Sequence, residues 1–253
     1  MEIGWILKKM ISKCLSFSMV WLPAVLTLVC LSEGILAGES RTIAPAKSSG
    51  RLIVNPDGLI DSRGVPTLSD VWQFIQEHPE KAVELMQDSG QWTYLTAGVG
   101  IIVCHDAVTA SGGQPVPAPL RKILRRWYPD DLLDEVRWTG VREPIRDLLN
   151  DARMNFEGDT LAITVMDAVI FRNTELAGDG ALWAHELYHV QQYRKWGVFG
   201  FARKWVENPS VNGPIEAPAY EREAEARRIF STSRALPIPQ SHGVRQLKKN
   251  NLP

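Results

Sequence analysis

A His-Glu-x-x-His motif at positions 185–189 constrains this chain more strongly than any other feature, because its chemistry requires a helix. Residues four apart on an α-helix lie on one face, so the imidazoles of His185 and His189 can bind the same ion. Asp179 supplies an N-cap signal before the motif, and Gly197 supplies a stop signal after it. The sequence therefore predicts a helix bounded by these two residues.

The spacing of the motif is that of a zinc hydrolase. His185 and His189 would bind Zn²⁺, and Glu186 would lie beside the ion. There its carboxylate could accept a proton from zinc-bound water, whose pKa the metal lowers to about 7. The chain has only five histidines in 253 residues, so a chance match is expected on the order of once in a hundred such chains. The motif predicts a zinc site in which Glu186 is the general base.

Catalytic zinc takes three protein ligands and a water molecule, so a third ligand must come from elsewhere in the chain. No His-x-x-Gly-x-x-His continuation follows the motif, which argues against the metzincin arrangement. A glutamate on the acidic helical stretch downstream is the better expectation. Glu216 is the first choice, and Glu223, seven residues later on the same helical face, is the second. His78, His105 and His242 are further alternatives that no spacing singles out.

Two features near the motif could help to hold a peptide. The β-rich segments 160–165 and 169–172 predict a hairpin, and an edge strand of that hairpin could pair with an extended substrate. An ordinary core hairpin fits the same pattern equally well. Tyr220, one turn after Glu216, could stabilise an oxyanion, although a packed aromatic ring is an equal alternative.

The first 37 residues have the pattern of a secretory signal peptide. Three lysines precede an apolar stretch at 14–31, and Ala37 provides a small residue at the expected cleavage site. An uncleaved signal anchor and a lipoprotein attached at Cys30 are the alternatives. The sequence predicts an exported protein, periplasmic or secreted, that contacts a membrane only through this segment if it is not removed.

Composition indicates the class of partner. The formal net charge is −1, which gives no reason to expect a nucleic acid. The basic residues at 121–126 alternate with apolar ones at helical spacing, as on the solvated face of a helix. After removal of the signal peptide, Cys104 would be the only cysteine, and its apolar neighbours predict burial rather than metal binding. The expected partner is a peptide or protein substrate.

A proline-rich loop at 111–119 is the predicted domain boundary. It separates a mostly helical N-terminal region, residues 38–114, from a metallopeptidase-like domain, residues 115–235. Residues 236–253 are expected to form a mobile tail.

Several short pieces around the motif together carry a family resemblance. They are Ala162-Ile163-Thr164, the strand ending at Phe171, the motif with Val190-Gln191-Gln192-Tyr193, Gly197 with Phe201-Ala202, and Pro214-Ile215-Glu216 with Ala219-Tyr220. With these pieces, the region from about Pro115 to Ile229 resembles the extracellular contractile injection system core domain, a family of zinc metallopeptidases.

The resemblance implies an α+β, gluzincin-like fold with a small sheet, a metal-binding helix and a glutamate helix. It matches Glu216 to the family's downstream glutamate, which would complete a Zn²⁺ site with His185 and His189. Pro218 departs from the family pattern, and a distortion of the helix there would favour Glu223 instead. The implied function is peptide hydrolysis. Because the family is associated with secretion machines, a zinc-stabilised binding or assembly module without turnover is the alternative.

Overall fold

The computed structural model of the chain describes residues 50–81, 84, 89–143, 145–151, 154, 158 and 160–232. The predicted signal peptide, the predicted tail and His242 lie outside them. The described elements, in chain order, are strands Arg51–Val54 (β1) and Ile60–Arg63 (β2), helices Leu68–Glu77 (α1) and Ser89–Ala110 (α2), strand Gln114–Pro115 (β3), helices Ala118–Leu124 (α3) and Asp130–Glu135 (α4), strand Arg137–Gly140 (β4), helix Ile145–Asp151 (α5), strands Ala162–Val165 (β5) and Ala168–Phe171 (β6), the 3₁₀ helix Glu175–Gly178, and helices Gly180–Glu207 (α6) and Glu216–Thr232 (α7). The fold class is α+β, as predicted.

Four strands form a mixed sheet in the order β3-β4-β6-β5. The predicted hairpin is confirmed: β5 and β6 are antiparallel, with Ile163 opposite Ile170. Strand β4 runs parallel to β6, with Trp138 beside Val169. This order leaves β5 at one edge of the sheet.

Both faces of the sheet are covered, because alternate residues of β6 belong to different hydrophobic clusters. Ala168 and Ile170 pack into one cluster, whereas Val169 and Phe171 pack into the other. Successive side chains of a strand point to opposite faces, so this division follows from the pleat. All four residues are buried, as expected for a strand that lies between two packed layers.

Helix α2 lies in the first cluster, the one that contains Ala168 and Ile170. Within the described residues, its segment Thr93–Ala110 is long and apolar enough to cross a membrane, and half of that segment is buried inside the fold. Ile102 and Cys104 have no exposed surface, and the burial of Cys104 agrees with the prediction. Gly98 allows the ring of Phe199 on α6 to approach, since a Cβ at this glycine would lie 2.5 Å from the ring. The contacts are those of a central core helix.

A two-stranded sheet from the N-terminal region meets helix α6 where that helix bends. The bend is at Gly197, whose φ of 69° is left-handed, so the predicted stop signal is confirmed. The helix then resumes and ends at Glu207. At the bend, the hydroxyl of Ser62 on β2 accepts a hydrogen bond of 2.8 Å from the backbone N–H of Val198. A side chain at Gly197 would meet the backbone oxygen of Ser62 at 2.5 Å, so the contact requires glycine.

Candidate metal centre

The start of α6 is fixed by its cap. The side chain of Asp179 accepts hydrogen bonds from the backbone N–H groups of Ala181 and Leu182, at 2.9 and 3.1 Å, which confirms the predicted N-cap. Phe230 of α7 packs against Gly180, where a Cβ would lie 2.2 Å from the ring. These contacts fix the start of α6 and pack it against the last part of α7, whose first turn carries Glu216.

Three side chains from α6 and α7 converge on one point. Nε2 of His185 and Nε2 of His189 are 3.1 Å apart. Oε2 of Glu216 lies 3.4 Å from the first nitrogen and 3.7 Å from the second. Zinc–ligand bonds of about 2.0–2.2 Å in a tetrahedron place the ligand atoms about 3.3–3.6 Å apart. The cluster of His185, His189 and Glu216 therefore has the spacing of a metal site and could hold an ion.

The remaining nitrogens of the two imidazoles face oxygen atoms. Nδ1 of His189 is 2.9 Å from Oε1 of Gln192, and Nδ1 of His185 is 3.3 Å from Oε2 of Glu223. The Glu223 contact is an ion-pair distance without the alignment of a good hydrogen bond. With the protons on both Nδ1 atoms, each Nε2 keeps a lone pair directed at the Glu216 carboxylate. Three electron-pair donors that face one another are stabilised by a cation, so the donor set fits a metal ion.

The structure places the predicted alternatives to Glu216 elsewhere. Glu223 faces the outer nitrogen of His185 and also accepts a hydrogen bond from Arg227. His78 is the C-cap of α1, with its side chain 46% exposed. His105 is buried on α2, between two aspartates. Among the described residues, only the two motif histidines and Glu216 form a group with metal-ligand spacing.

Glu186 is held by the sheet. Its side chain is buried, with the residue only 3% exposed, and Oε2 accepts a hydrogen bond of 2.6 Å from the hydroxyl of Thr164 on β5. The hydroxyl of Tyr193 in turn donates to the carbonyl oxygen of Thr164 at 3.3 Å. The carboxylate next to the first histidine is therefore fixed by the edge strand that precedes the metal helix.

Sequence reasoning does not assign a role to Thr164 or to Gln192. Both lie in short pieces that carry the family resemblance, one in a strand and one immediately after the motif. For Thr164 the available signal was a polar residue between two apolar neighbours, whereas Gln192 directly follows another glutamine and has no such signal. A buried polar group needs a partner, and that partner becomes known only when the strand and both helices are placed in three dimensions.

Charge around the cluster is unbalanced in favour of acidic groups. Burial lowers the pKa of His185, but the carboxylates of Glu216 and Glu223 outweigh it and raise that pKa to about 10. Without a metal ion, the cluster therefore takes up a proton at neutral pH. A metal ion must displace this proton, so metal affinity is expected to rise with pH.

Tyr220 lies at the outer side of the cluster. Its ring packs edge-on against His185, with centroids 4.6 Å apart, and the residue is 47% exposed. Burial and the neighbouring Glu216 raise the pKa of its hydroxyl. The hydroxyl therefore stays protonated at neutral pH and can donate a hydrogen bond, which either predicted role for Tyr220 allows.

His105 leads to a prediction about pH. Its Nε2 is 2.6 Å from Asp167 in the β5–β6 turn, and Nδ1 is 3.3 Å from Asp106, whose other oxygen accepts from the backbone N–H of Leu68. Burial lowers the pKa of His105, but the two aspartates raise it from 6.5 to about 9. The charged imidazole therefore stabilises the fold fully below pH 6.5, and this contribution is lost as pH rises through about 9.

We expect the loss between these pH values to be about 3 kcal/mol in the free energy of unfolding. Urea unfolding at pH 6 and pH 10 measures it. His185 titrates in the same interval, so the contribution of His105 is the part of this difference that His105→Gln removes, because glutamine does not titrate. An equal pH dependence in the parent and the variant would contradict the assignment.

Comparison with known families gives a match that includes the motif. Residues 115–197 match the family described as the eCIS core domain. The matched segment covers about a third of the chain and includes the motif, and it ends before Glu216. No curated protein and no solved structure matches the chain.

Proposed function

We propose that the chain is an exported zinc metallopeptidase with a gluzincin-like site, most of which lies in the segment that matches the eCIS core domain family. The observation that supports this most directly is the convergence of His185, His189 and Glu216, with Glu186 next to the first histidine. Two histidines and a carboxylate are a donor set used by catalytic zinc, which keeps a fourth position for water or substrate.

Zinc, when bound, would lower the pKa of a water molecule and polarise the scissile carbonyl. The chain's own groups would handle the protons. Glu186 would accept a proton from the water and return it to the leaving amine, and Thr164 would keep its carboxylate in place. Tyr220 would donate a hydrogen bond to the oxyanion from the exposed side of His185.

A second function, a zinc-stabilised binding or assembly module without turnover, is favoured by one specific observation. Glu186 is 3% exposed, and one oxygen of its carboxylate is already bonded to Thr164. A carboxylate so enclosed can serve to join the helix to the sheet without acting as a base. The two functions share the metal site and differ only in whether Glu186 exchanges protons with water.

The deciding experiment combines metal analysis with digestion of a diverse peptide library. An enzyme should contain about one zinc per chain, cleave library members, and lose that activity when a chelator removes the metal. Zinc-loaded protein that cleaves nothing would support the binding module. Protein that does not bind zinc would contradict both functions.

Export leads to a separate prediction. Three lysines, the apolar stretch at 14–31 and the Ala37-Gly38 junction predict cleavage after Ala37. N-terminal sequencing of protein recovered from its native host should therefore begin near Gly38. Recovery of chains that begin at Met1 in a membrane fraction would support a signal anchor instead.

A further inference from the structure

The amide of Gln192 contacts two parts of the candidate metal centre. Its Oε1 is 2.9 Å from Nδ1 of His189, and its Nε2 donates to the carbonyl oxygen of Ile215 at 2.9 Å. Gln192 is 4% exposed, and Ile215 directly precedes Glu216 in the chain. One buried side chain thus joins the helix with both histidines to the segment with the carboxylate.

The direction of the two hydrogen bonds follows from the chemistry of the amide. A backbone carbonyl only accepts, so the amide nitrogen of Gln192 must face Ile215, and the amide oxygen must face His189. That oxygen also only accepts, so Nδ1 of His189 carries the proton and Nε2 keeps its lone pair. Nε2 is the atom that lies 3.1 Å from Nε2 of His185.

We propose that Gln192 is a positioning residue of the metal centre. It fixes the tautomer and ring orientation of His189, and it ties the backbone beside Glu216 to the same helix. His185 is held differently, by the charged carboxylate of Glu223. The inference rests on the proposed zinc site but does not depend on peptide hydrolysis.

The test is to replace the amide by an apolar side chain of similar length. Gln192→Met fills the buried space but cannot bond both partners, so we expect zinc affinity, measured by competition with a chelator, to fall about 10–100-fold. Gln191→Met is the matched control. Gln191 is the preceding residue on the helix, and its side chain reaches the carbonyl oxygen of Trp127 at 3.5 Å instead of a candidate ligand. We expect its zinc affinity to stay close to that of the parent.

Two further measurements separate positioning from general packing. The visible absorption spectrum of the Co²⁺-substituted protein should change in Gln192→Met and stay unchanged in Gln191→Met. The rise in Tm on adding zinc should shrink in Gln192→Met, because metal binding stabilises the fold in proportion to the logarithm of affinity. A purely structural role would instead lower the Tm of zinc-free and zinc-loaded protein equally, which would overturn the proposal.

A second variant covers the case in which Gln192→Met does not fold. Gln192→Glu keeps an acceptor for His189 but places an oxygen against the carbonyl of Ile215, so its zinc affinity should also fall. Parent-like zinc affinity in either folded variant would overturn the inference while leaving the proposed zinc site in place. A parent protein that binds neither Zn²⁺ nor Co²⁺ would overturn the proposed function and this inference together.

Discussion

Replacing Glu186 by glutamine is expected to lower peptidase activity by about 10²-fold or more, the usual scale for loss of a general base. Glutamine has nearly the size of glutamate, and its amide oxygen can still accept the hydrogen bond from Thr164. The fold and the metal ligands should therefore be retained while the proton acceptor is lost. Zinc content and Tm should stay close to those of the parent.

The matched control is Glu221→Gln, the same chemical change at an exposed position on α7. It should leave zinc content, Tm and activity unchanged. The assignment of Glu186 as the general base is contradicted if Glu186→Gln keeps full activity, since the base would then be another group. If the zinc-loaded parent cleaves no peptide and Glu186→Gln preserves the biological role, the binding module is the function.

Replacing Glu216 by alanine should weaken zinc binding more than any change in a residue that only contacts a ligand. Its carboxylate oxygen lies 3.4 and 3.7 Å from the two Nε2 atoms, where a third ligand belongs. Residues that support a ligand typically change metal affinity by about 10–100-fold, so loss of the ligand itself should exceed about 100-fold. Chelator competition measures both effects on one scale.

Glu223→Ala is the comparison variant for this prediction. Glu223 contacts Nδ1 of His185 rather than Nε2, so its loss should fall within the range of about 10–100-fold. A larger loss for Glu223→Ala than for Glu216→Ala would mean that Glu223 is the ligand. That result would agree with a distortion of the helix at Pro218 that brings Glu223 to the metal.

The parts of the fold that the sequence predicts are those specified by local signals. Asp179 and Gly197 bound the first part of the metal helix because capping and left-handed backbone depend on neighbouring residues. The hairpin of β5 and β6 follows from two β-rich runs joined by a short turn. Both could be predicted without knowing any distant contact.

The parts that sequence analysis does not predict depend mostly on distant contacts. The parallel pairing of β4 with β6 joins segments about thirty residues apart, and no local pattern specifies such a partner. The hairpin of β1 and β2 is different, because its turn signal was present. Asn55 accepts hydrogen bonds from the backbone N–H groups of Asp57 and Leu59, as expected of an Asn-Pro-Asp-Gly turn.

In the candidate site, the motif identifies two histidines and the neighbouring Glu186 because helical spacing alone brings them together. Glu216 required a choice between two glutamates on one helix face. Distances in the structure separate them, since one faces Nε2 of His185 and the other faces Nδ1. The supporting roles of Thr164 and Gln192 depend on side-chain directions across three elements, which no single-sequence pattern contains.

The bend at Gly197 is also the point where the segment that matches the family ends, although the hydrophobic core continues beyond it. The family match ends at this residue, whereas Glu216 follows it. Phe199 and Ile215, beyond the match, share a hydrophobic cluster with Ile60 from the N-terminal hairpin. A fragment trimmed to residues 115–197 would therefore keep both histidines, lack the carboxylate that completes their site, and expose apolar surface to water. A fragment chosen for expression should therefore include the whole shared core rather than stop at the ends of the family match.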